Sequence, residues 1–133
     1  MSGAADNCSN PINLLLVDDE AGYVNVLANR LRRRGMGVDK AFSGAEAIQA
    51  VGKGAFDVII LDLKMEDMDG LEVLRIFNSM ALASKVIMLT GHGSQAAARE
   101  GLRLGAFDYL TKPCGLDELL EKINEAYLSK KIP

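Results

Sequence analysis

The sequence has few cysteines and no long apolar run. Its two cysteines, Cys8 and Cys114, are isolated and give no metal-ligand spacing, and a disulfide between them is not expected. No apolar run approaches the roughly 20 residues that a membrane helix needs. The first residues also lack the apolar core of a signal peptide. These absences predict a cytoplasmic protein in a reducing compartment, without membrane insertion.

The chain also lacks the strong positive charge of a protein that binds nucleic acid through its phosphates. Its formal net charge is -3, which argues against direct nucleic-acid binding. With 133 residues, 49% of them hydrophobic, it suits one domain with one core. The polar start of the chain predicts a disordered leader over residues 1–12, followed by a single domain over 13–131.

Two short apolar runs end abruptly in carboxylates. Leu14–Val17 precedes Asp18 and Asp19, and Val58–Leu61 precedes Asp62. An unbroken apolar run of this length is typical of a strand that is buried on both faces of a parallel sheet. Asp18, Asp19 and Asp62 would then lie at the carboxyl ends of strands, where open α/β sheets place their ligand sites.

The rest of the chain alternates strand and helix signals. Further strands are predicted near 36–41, 86–90 and 107–111, and helices follow each strand. Ser43 to Glu46 forms a capping box, Asp69 can cap a helix over 70–81, and Gly35 can end the first helix. Five strands alternating with five helices predict a flavodoxin-like, three-layer α/β fold. The expected strand order is 2-1-3-4-5, with the switch point between strands 1 and 3.

This topology would bring Asp18, Asp19 and Asp62 together in one crevice. Two carboxylates at ~4 Å repel by about 4 kcal/mol at an effective dielectric of 20. Three such pairs approach the roughly 5–15 kcal/mol that holds a domain together. Protonation, wide spacing or a cation must relieve them. Oxygen ligands alone favour Mg²⁺, with Mn²⁺ or Ca²⁺ as substitutes. The alternative is that Asp18 and Asp19 only begin a helix.

Two further polar residues, Thr90 and Lys112, are predicted at the same edge of the sheet. They end the fourth and fifth strands. A hydroxyl and an ammonium facing a carboxylate could bind a phosphoryl group carried by that carboxylate. An aspartate can act as a nucleophile on phosphorus, with a metal ion neutralising charge in the transition state. Alone, Thr90 is typical of a strand end and Lys112 of a solvated side chain, but their joint position favours an aspartyl-phosphate site.

These residues stand in five short motifs that occur in order along the chain. The sequence resembles the receiver domain of two-component response regulators over about residues 13–130. Each motif is weak alone, but five in order at strand ends are specific. The motifs are Leu16-Val17-Asp18-Asp19-Glu20, Leu61-Asp62-Leu63-Lys64-Met65, Met68-Asp69-Gly70, Leu89-Thr90-Gly91 and Gly105-Ala106-Phe107-Asp108-Tyr109-Leu110-Thr111-Lys112-Pro113.

The resemblance implies that Asp62 accepts a phosphoryl group from a histidine kinase or a histidine phosphotransfer protein. Asp19 and Asp62 would bind Mg²⁺ directly, together with the backbone carbonyl of Lys64, and Asp18 would act largely through water. The chain would be a regulatory domain, catalysing only its own phosphorylation and a slow autodephosphorylation. Lys64 and His92 match positions that modulate hydrolysis of the phosphoryl group in this family.

The resemblance also implies a switch. Thr90 would be the switch hydroxyl, Lys112 the phosphate counter-ion and Tyr109 the switch aromatic. Their movement would shift the surface of the fourth helix, fifth strand and fifth helix, which would bind an output domain or target protein; a homodimer is left open. Lys112-Pro113 matches a junction that is often cis in the family, although trans is the default for a sequence.

Glu66 departs from the family pattern, which usually has proline there. The change removes a rigid φ and adds a carboxylate. It predicts a more mobile loop and altered metal affinity.

Three other functions fit parts of the pattern. A phosphohydrolase resembling the haloacid-dehalogenase group would carry a second Asp where this chain has Lys64. A flavin or nucleotide module would need a phosphate loop where Asp18 and Asp19 stand. A receiver used only for interaction would not need the acidic residues, Thr90 and Lys112.

Overall fold

The protein forms one parallel five-stranded sheet between two layers of helices. The structure is a computed structural model that describes residues 11–91 and 95–130. Its strands follow the order β2-β1-β3-β4-β5, and all neighbours pair in parallel. The predicted fold class and strand order are therefore confirmed. The strands are β1 (Asn13–Val17), β2 (Gly37–Ala41), β3 (Val58–Asp62), β4 (Lys85–Thr90) and β5 (Asp108–Thr111).

A helix follows each strand, and the helices cover both faces of the sheet. The first and last helices pack on one face, and the other three pack on the opposite face. This arrangement is the doubly wound pattern expected from right-handed crossovers. The helices are α1 (Ala21–Arg33), α2 (Gly44–Lys53), α3 (Gly70–Ser79), α4 (Gln95–Arg103) and α5 (Leu116–Lys130).

Alternate residues of the central strands enter different halves of the core. In β1, Leu14 and Leu16 pack with α1 and α5, whereas Leu15 and Val17 pack with α2 and α3. All five residues of β3 are buried. Burial on both faces explains why these strands read as unbroken apolar runs rather than alternating ones.

Local signals place the helix ends close to their predicted positions. Ser43 accepts a hydrogen bond from the Glu46 N–H at 3.1 Å, and Asp69 accepts one from the Leu71 N–H at 3.1 Å. Gly35, with φ of 87°, follows the end of α1. The helix predicted over 70–81 is shorter than expected. It ends at Ser79, because Ala81 adopts the left-handed conformation with φ of 55°.

The predicted leader lies mostly outside the described residues. Residue 12, at its end, belongs to the fold, since Ile12 packs against the core and its carbonyl accepts a hydrogen bond from the Gly37 N–H. Cys8 is also outside the described part, so the structure does not bear on its pairing. Within residues 11–91 and 95–130, none of the helices has the length and apolar character needed to span a bilayer.

Candidate functional site

The carboxylates of Asp18, Asp19 and Asp62 form one cluster. One oxygen of each lies within 4.8 Å of one oxygen of the other two. The register explains why, because Val17 pairs with Leu61 and the next residues of β1 and β3 therefore lie level. Asp18 is 3% exposed and Asp62 is 6% exposed. The structure thus brings together the three acids that the sequence singled out.

Backbone N–H groups of the neighbouring loops orient all three carboxylates. Each carboxylate accepts one such hydrogen bond and keeps other lone pairs available. For Asp18 and Asp62 the donor is the residue two positions after the aspartate, whereas for Asp19 it is a residue distant in the sequence. The bonds are Glu20 N to Asp18 Oδ1 at 3.0 Å, Lys64 N to Asp62 Oδ1 at 3.3 Å and Glu66 N to Asp19 Oδ2 at 3.0 Å.

Lys112 supplies a positive charge within this acidic cluster. Its Nζ lies 2.7 Å from Asp18 Oδ2, 3.5 Å from Glu20 Oε1 and 3.7 Å from Asp62 Oδ2. Burial by itself would lower the pKa of Lys112, but the hydrogen bond to Asp18 and the charge of Asp62 raise it overall. Lys112 is therefore a cation that already relieves part of the repulsion expected among the carboxylates.

The surroundings of Asp62 disfavour its ionised form. Its pKa is raised to about 6, first by burial and next by the charge of Asp18. Lys112 and the Lys64 N–H act in the opposite direction and lower this pKa. Lys112 thus provides one of the three kinds of relief considered from the sequence, a cation, and protonation of Asp62 adds to it only near pH 6 and below.

The oxygen cluster suits a hard divalent cation. Three carboxylate oxygens this close, two of them from buried residues, match the ligand chemistry of Mg²⁺, which takes one or two carboxylates and keeps waters. Asp19 also borders an open pocket of about 700 Å³, which is lined mainly by the loop after β3. The residues present therefore fit the Mg²⁺ ion predicted from the sequence.

Thr90 and Tyr109 lie on the side of the site away from β1. Thr90 is 2% exposed, and its Oγ1 donates to the Leu110 carbonyl at 3.4 Å. Tyr109 is on the edge strand β5, where it pairs with Met88 of β4. Its side chain is half-buried and packs against the core layer of α2 and α3. The Lys112 N–H donates to the Thr90 carbonyl at 2.7 Å. This bond connects the ends of β4 and β5, so Thr90 and Lys112 share one edge as predicted.

Of the two predicted modulators, only Lys64 is among the described residues, and the modulating role of both stays a prediction. Lys64 is exposed in the loop after β3, beside the cluster. His92 lies outside the described residues, so its role stays a prediction. The Lys112-Pro113 peptide bond is cis, as the resemblance suggested and against the default for a sequence.

Sequence reasoning missed three contributors. Glu20 and the ring of Tyr23 both lie beside Lys112, with the Tyr23 ring centroid 4.9 Å from its Nζ. Asp67 accepts hydrogen bonds from the Gly44 and Ala45 N–H groups at 3.0 and 3.1 Å. These contacts join positions far apart in the sequence, so no local pattern indicates them. Only for Glu20 did the sequence give a hint of a place in the site, because this residue directly follows Asp18 and Asp19.

Comparison with known sequences identifies the family. The family model of the response regulator receiver domain matches residues 14–124. The transcriptional regulatory protein GlrR of Escherichia coli K12 is 38% identical over 116 residues, which are 87% of this chain and 26% of GlrR. The transcriptional regulatory protein TrcR of Mycobacterium tuberculosis is 39% identical over 113 residues, which are 85% of this chain and 44% of TrcR.

Solved structures give the same result. A response regulator receiver domain protein from Clostridium thermocellum superposes with a TM-score of 0.87 at 32% identity, covering 91% of this chain and 98% of that one. A CheY-like receiver domain protein from Methanospirillum hungatei gives 0.87 at 29% identity, covering 92% and 98%. The chain spans about a quarter of GlrR and less than half of TrcR. It belongs to the receiver domain family of two-component response regulators, whose general function is that of a phosphorylation-controlled switch.

Proposed function

We propose that Asp62 is the residue through which this receiver is phosphorylated, with a phosphohistidine of a histidine kinase or phosphotransfer protein as the donor. The observation that carries the proposal is the position of its carboxylate. Asp62 is buried at a strand end, 3.7 Å from Lys112 and clustered with Asp18 and Asp19. Lys112, together with a cation held by the carboxylates, would supply the positive charge that a doubly negative phosphoryl group on Asp62 needs.

The transfer is a displacement at phosphorus. A carboxylate oxygen of Asp62 forms a bond to phosphorus while the P–N bond to the donor imidazole breaks. The electron pair of that bond stays on the imidazole nitrogen, which takes up a proton from solvent. With acetyl phosphate as donor, the P–O bond breaks instead and acetate leaves. In the metal-free protein the pKa of Asp62 is raised to about 6, so a proton would compete with Mg²⁺ for this carboxylate below that pH.

Asp19 and Asp62 would hold Mg²⁺ directly with the backbone carbonyl of Lys64, and Asp18 would act through water. Bound there, the ion supplies neutralisation of the charge that the phosphoryl oxygens bring. The chain's own contribution is to orient the ligands. The Glu66 N–H fixes Asp19 from one side, and the Lys64 N–H fixes Asp62 from the other.

Lys112 and Thr90 would respond to the new group. Phosphorylation adds nearly two negative charges and three acceptor oxygens. Lys112, now bridging Asp18 and Asp62, would bond to the phosphoryl oxygens. Thr90 would exchange its long bond to the Leu110 carbonyl for a phosphoryl acceptor, and Tyr109 would turn inward.

These changes would shift the surface formed by α4, β5 and α5 within a pre-existing equilibrium. Full switching needs about 5.5 kcal/mol of differential binding. Charge-assisted hydrogen bonds of roughly 1.5–3 kcal/mol each could supply it. An output domain or target protein would read the shifted surface. The named relatives are transcriptional regulators, so any contact with DNA would belong to such an output rather than to this domain.

Lys64 and His92 would set the rate of the slow autodephosphorylation, and a cytoplasmic location would give access to the kinase. Acetyl phosphate with Mg²⁺ tests the proposal. Intact-mass spectra should show one added phosphoryl group on the wild type and none on Asp62→Asn. Asp39→Asn, an exposed aspartate on β2, is the matched control and should be phosphorylated like the wild type. Equal phosphorylation of Asp62→Asn would reject Asp62 as the acceptor.

A further inference from the structure

The ring of Tyr23 lies against the ammonium of Lys112. Tyr23 is on α1, and the centroid of its ring is 4.9 Å from Lys112 Nζ. The ring is half-buried and packs against the core layer that α1 and α5 share. A cation within about 6 Å of an aromatic ring is attracted to the negative face of that ring. The contact therefore joins a side chain that packs against the core to the ammonium of Lys112.

Lys112 needs such a restraint because three anions compete for it. The closest is Asp18 at 2.7 Å, whereas Asp62 is 3.7 Å away and Glu20, at 3.5 Å, is exposed. A lysine side chain has a flexible four-carbon stem and loses considerable rotamer entropy when it is held in one conformation. An ammonium drawn towards the exposed Glu20 would move out of the crevice.

We propose that Tyr23 is a positioning residue for Lys112, holding the ammonium within reach of Asp62 and so setting how fast Asp62 is phosphorylated. The proposal rests on the proposed function, because it assumes that Lys112 acts on a phosphoryl group at Asp62. Tyr23 acts through its aromatic face. Its phenol stays neutral at physiological pH, since burial first and Cys114 next raise the pKa of Tyr23.

Substitutions at position 23 separate the ring from the hydroxyl. Tyr23→Phe keeps the ring, whereas Tyr23→Leu fills much of the same space without a π face. We expect Tyr23→Phe to retain the wild-type rate of phosphorylation by acetyl phosphate and Tyr23→Leu to lose about fivefold, a typical cation–π contribution. Tyr127→Leu is the matched control, because Tyr127 packs against the same core layer at the opposite edge of the sheet. It should react at the wild-type rate.

A double-mutant cycle shows whether the effect passes through Lys112. In a Lys112→Met background, Tyr23→Leu should cause no further loss, either in phosphorylation rate or in beryllofluoride binding followed by fluorine NMR. A fully fluorinated phenylalanine at position 23 keeps the ring's shape but reverses the charge of its face. It should behave like Tyr23→Leu, which tests the ring without a change in packing.

The outcomes distinguish this proposal from the one on which it rests. A wild-type protein that acetyl phosphate does not modify would reject the proposed function itself. A modified wild type with unchanged rates in Tyr23→Leu and the fluorinated variant would overturn only the role of Tyr23. The same holds if Tyr23→Leu lowers the rate equally with and without Lys112, because a purely structural effect does not depend on the lysine.

Discussion

Replacing Glu66 by proline is predicted to weaken Mg²⁺ binding about fivefold relative to replacing it by alanine. The Glu66 N–H donates to Asp19 Oδ2 at 3.0 Å, and Asp19 is one of the proposed metal ligands. Alanine keeps this N–H, whereas proline has none. Both substitutions remove the same carboxylate, so the comparison isolates the hydrogen bond from the charge.

The magnitude follows from the exposure of the bond. Hydrogen bonds to charged groups contribute roughly 1.5–3 kcal/mol when well shielded. This bond is exposed to solvent, so about 1 kcal/mol is the appropriate value, which corresponds to about fivefold in affinity. A fivefold loss of affinity is smaller than the roughly 10–100-fold loss seen when groups that orient metal ligands are removed.

The assay is a Mg²⁺ titration followed by backbone amide NMR, with wild type, Glu66→Ala and Glu66→Pro compared at one ionic strength. Both the wild type and Glu66→Ala should bind more tightly than Glu66→Pro. Equal affinities for the two variants would refute the reasoning, because the N–H would then have no role in placing Asp19. The same spectra report loop dynamics, which tests the prediction that a chain without proline at this position has a more mobile loop.

Three further predictions concern stability. The raised pKa of Asp62 means that the folded state holds this proton more tightly than the unfolded chain. The free energy of unfolding of the metal-free protein should therefore fall as the pH rises from about 4 to about 6. In urea unfolding, the free energy of unfolding of Asp62→Asn should increase relative to that of the wild type as the pH rises over this range; a constant difference would contradict this. Gly101→Ala should destabilise by roughly 1–3 kcal/mol, because its Cβ would overlap Met88 Sδ, and Met88→Ala should reduce that loss. Asp67→Ala should speed hydrogen exchange of the Gly44 amide, because it removes the acceptor of that N–H, and unchanged exchange would argue against this hydrogen bond.

The fold and the acidic cluster were predictable because each depends on a strong, short-range pattern. The apolar runs of β1 and β3 are unbroken since both faces of these strands are covered. The carboxyl ends of parallel strands meet at one edge, so Asp18, Asp19 and Asp62 had to lie near one another once the strand order was given. No knowledge of side-chain packing was needed for either step.

The surroundings of Lys112 were not predictable in the same way. Its position at the end of β5 was expected, but its contacts with Asp18 and the Tyr23 ring depend on how α1 packs beside the loop after β5. The hydrogen bonds made by the Glu66 N–H and the Asp67 carboxylate likewise reach across 47 and 23 residues. Such contacts follow from tertiary packing, which hydrophobic periodicity does not encode.

The boundary of α3 shows a smaller failure of the same kind. Apolar spacing allowed a helix to residue 81, but the left-handed conformation of Ala81 ends it at Ser79. Alanine carries no turn signal, so the sequence offered no reason to stop the helix there.

The identity of the modified residue decides whether Asp62 is the phosphoacceptor. Wild-type protein treated with acetyl phosphate and Mg²⁺ can be reduced with borohydride, which converts an aspartyl phosphate to homoserine, and then mapped by peptide mass spectrometry. Homoserine is expected at position 62 alone, the position of the buried carboxylate beside Lys112. Homoserine at position 18 or 19, or none in a protein that has gained the phosphoryl mass, would contradict this expectation.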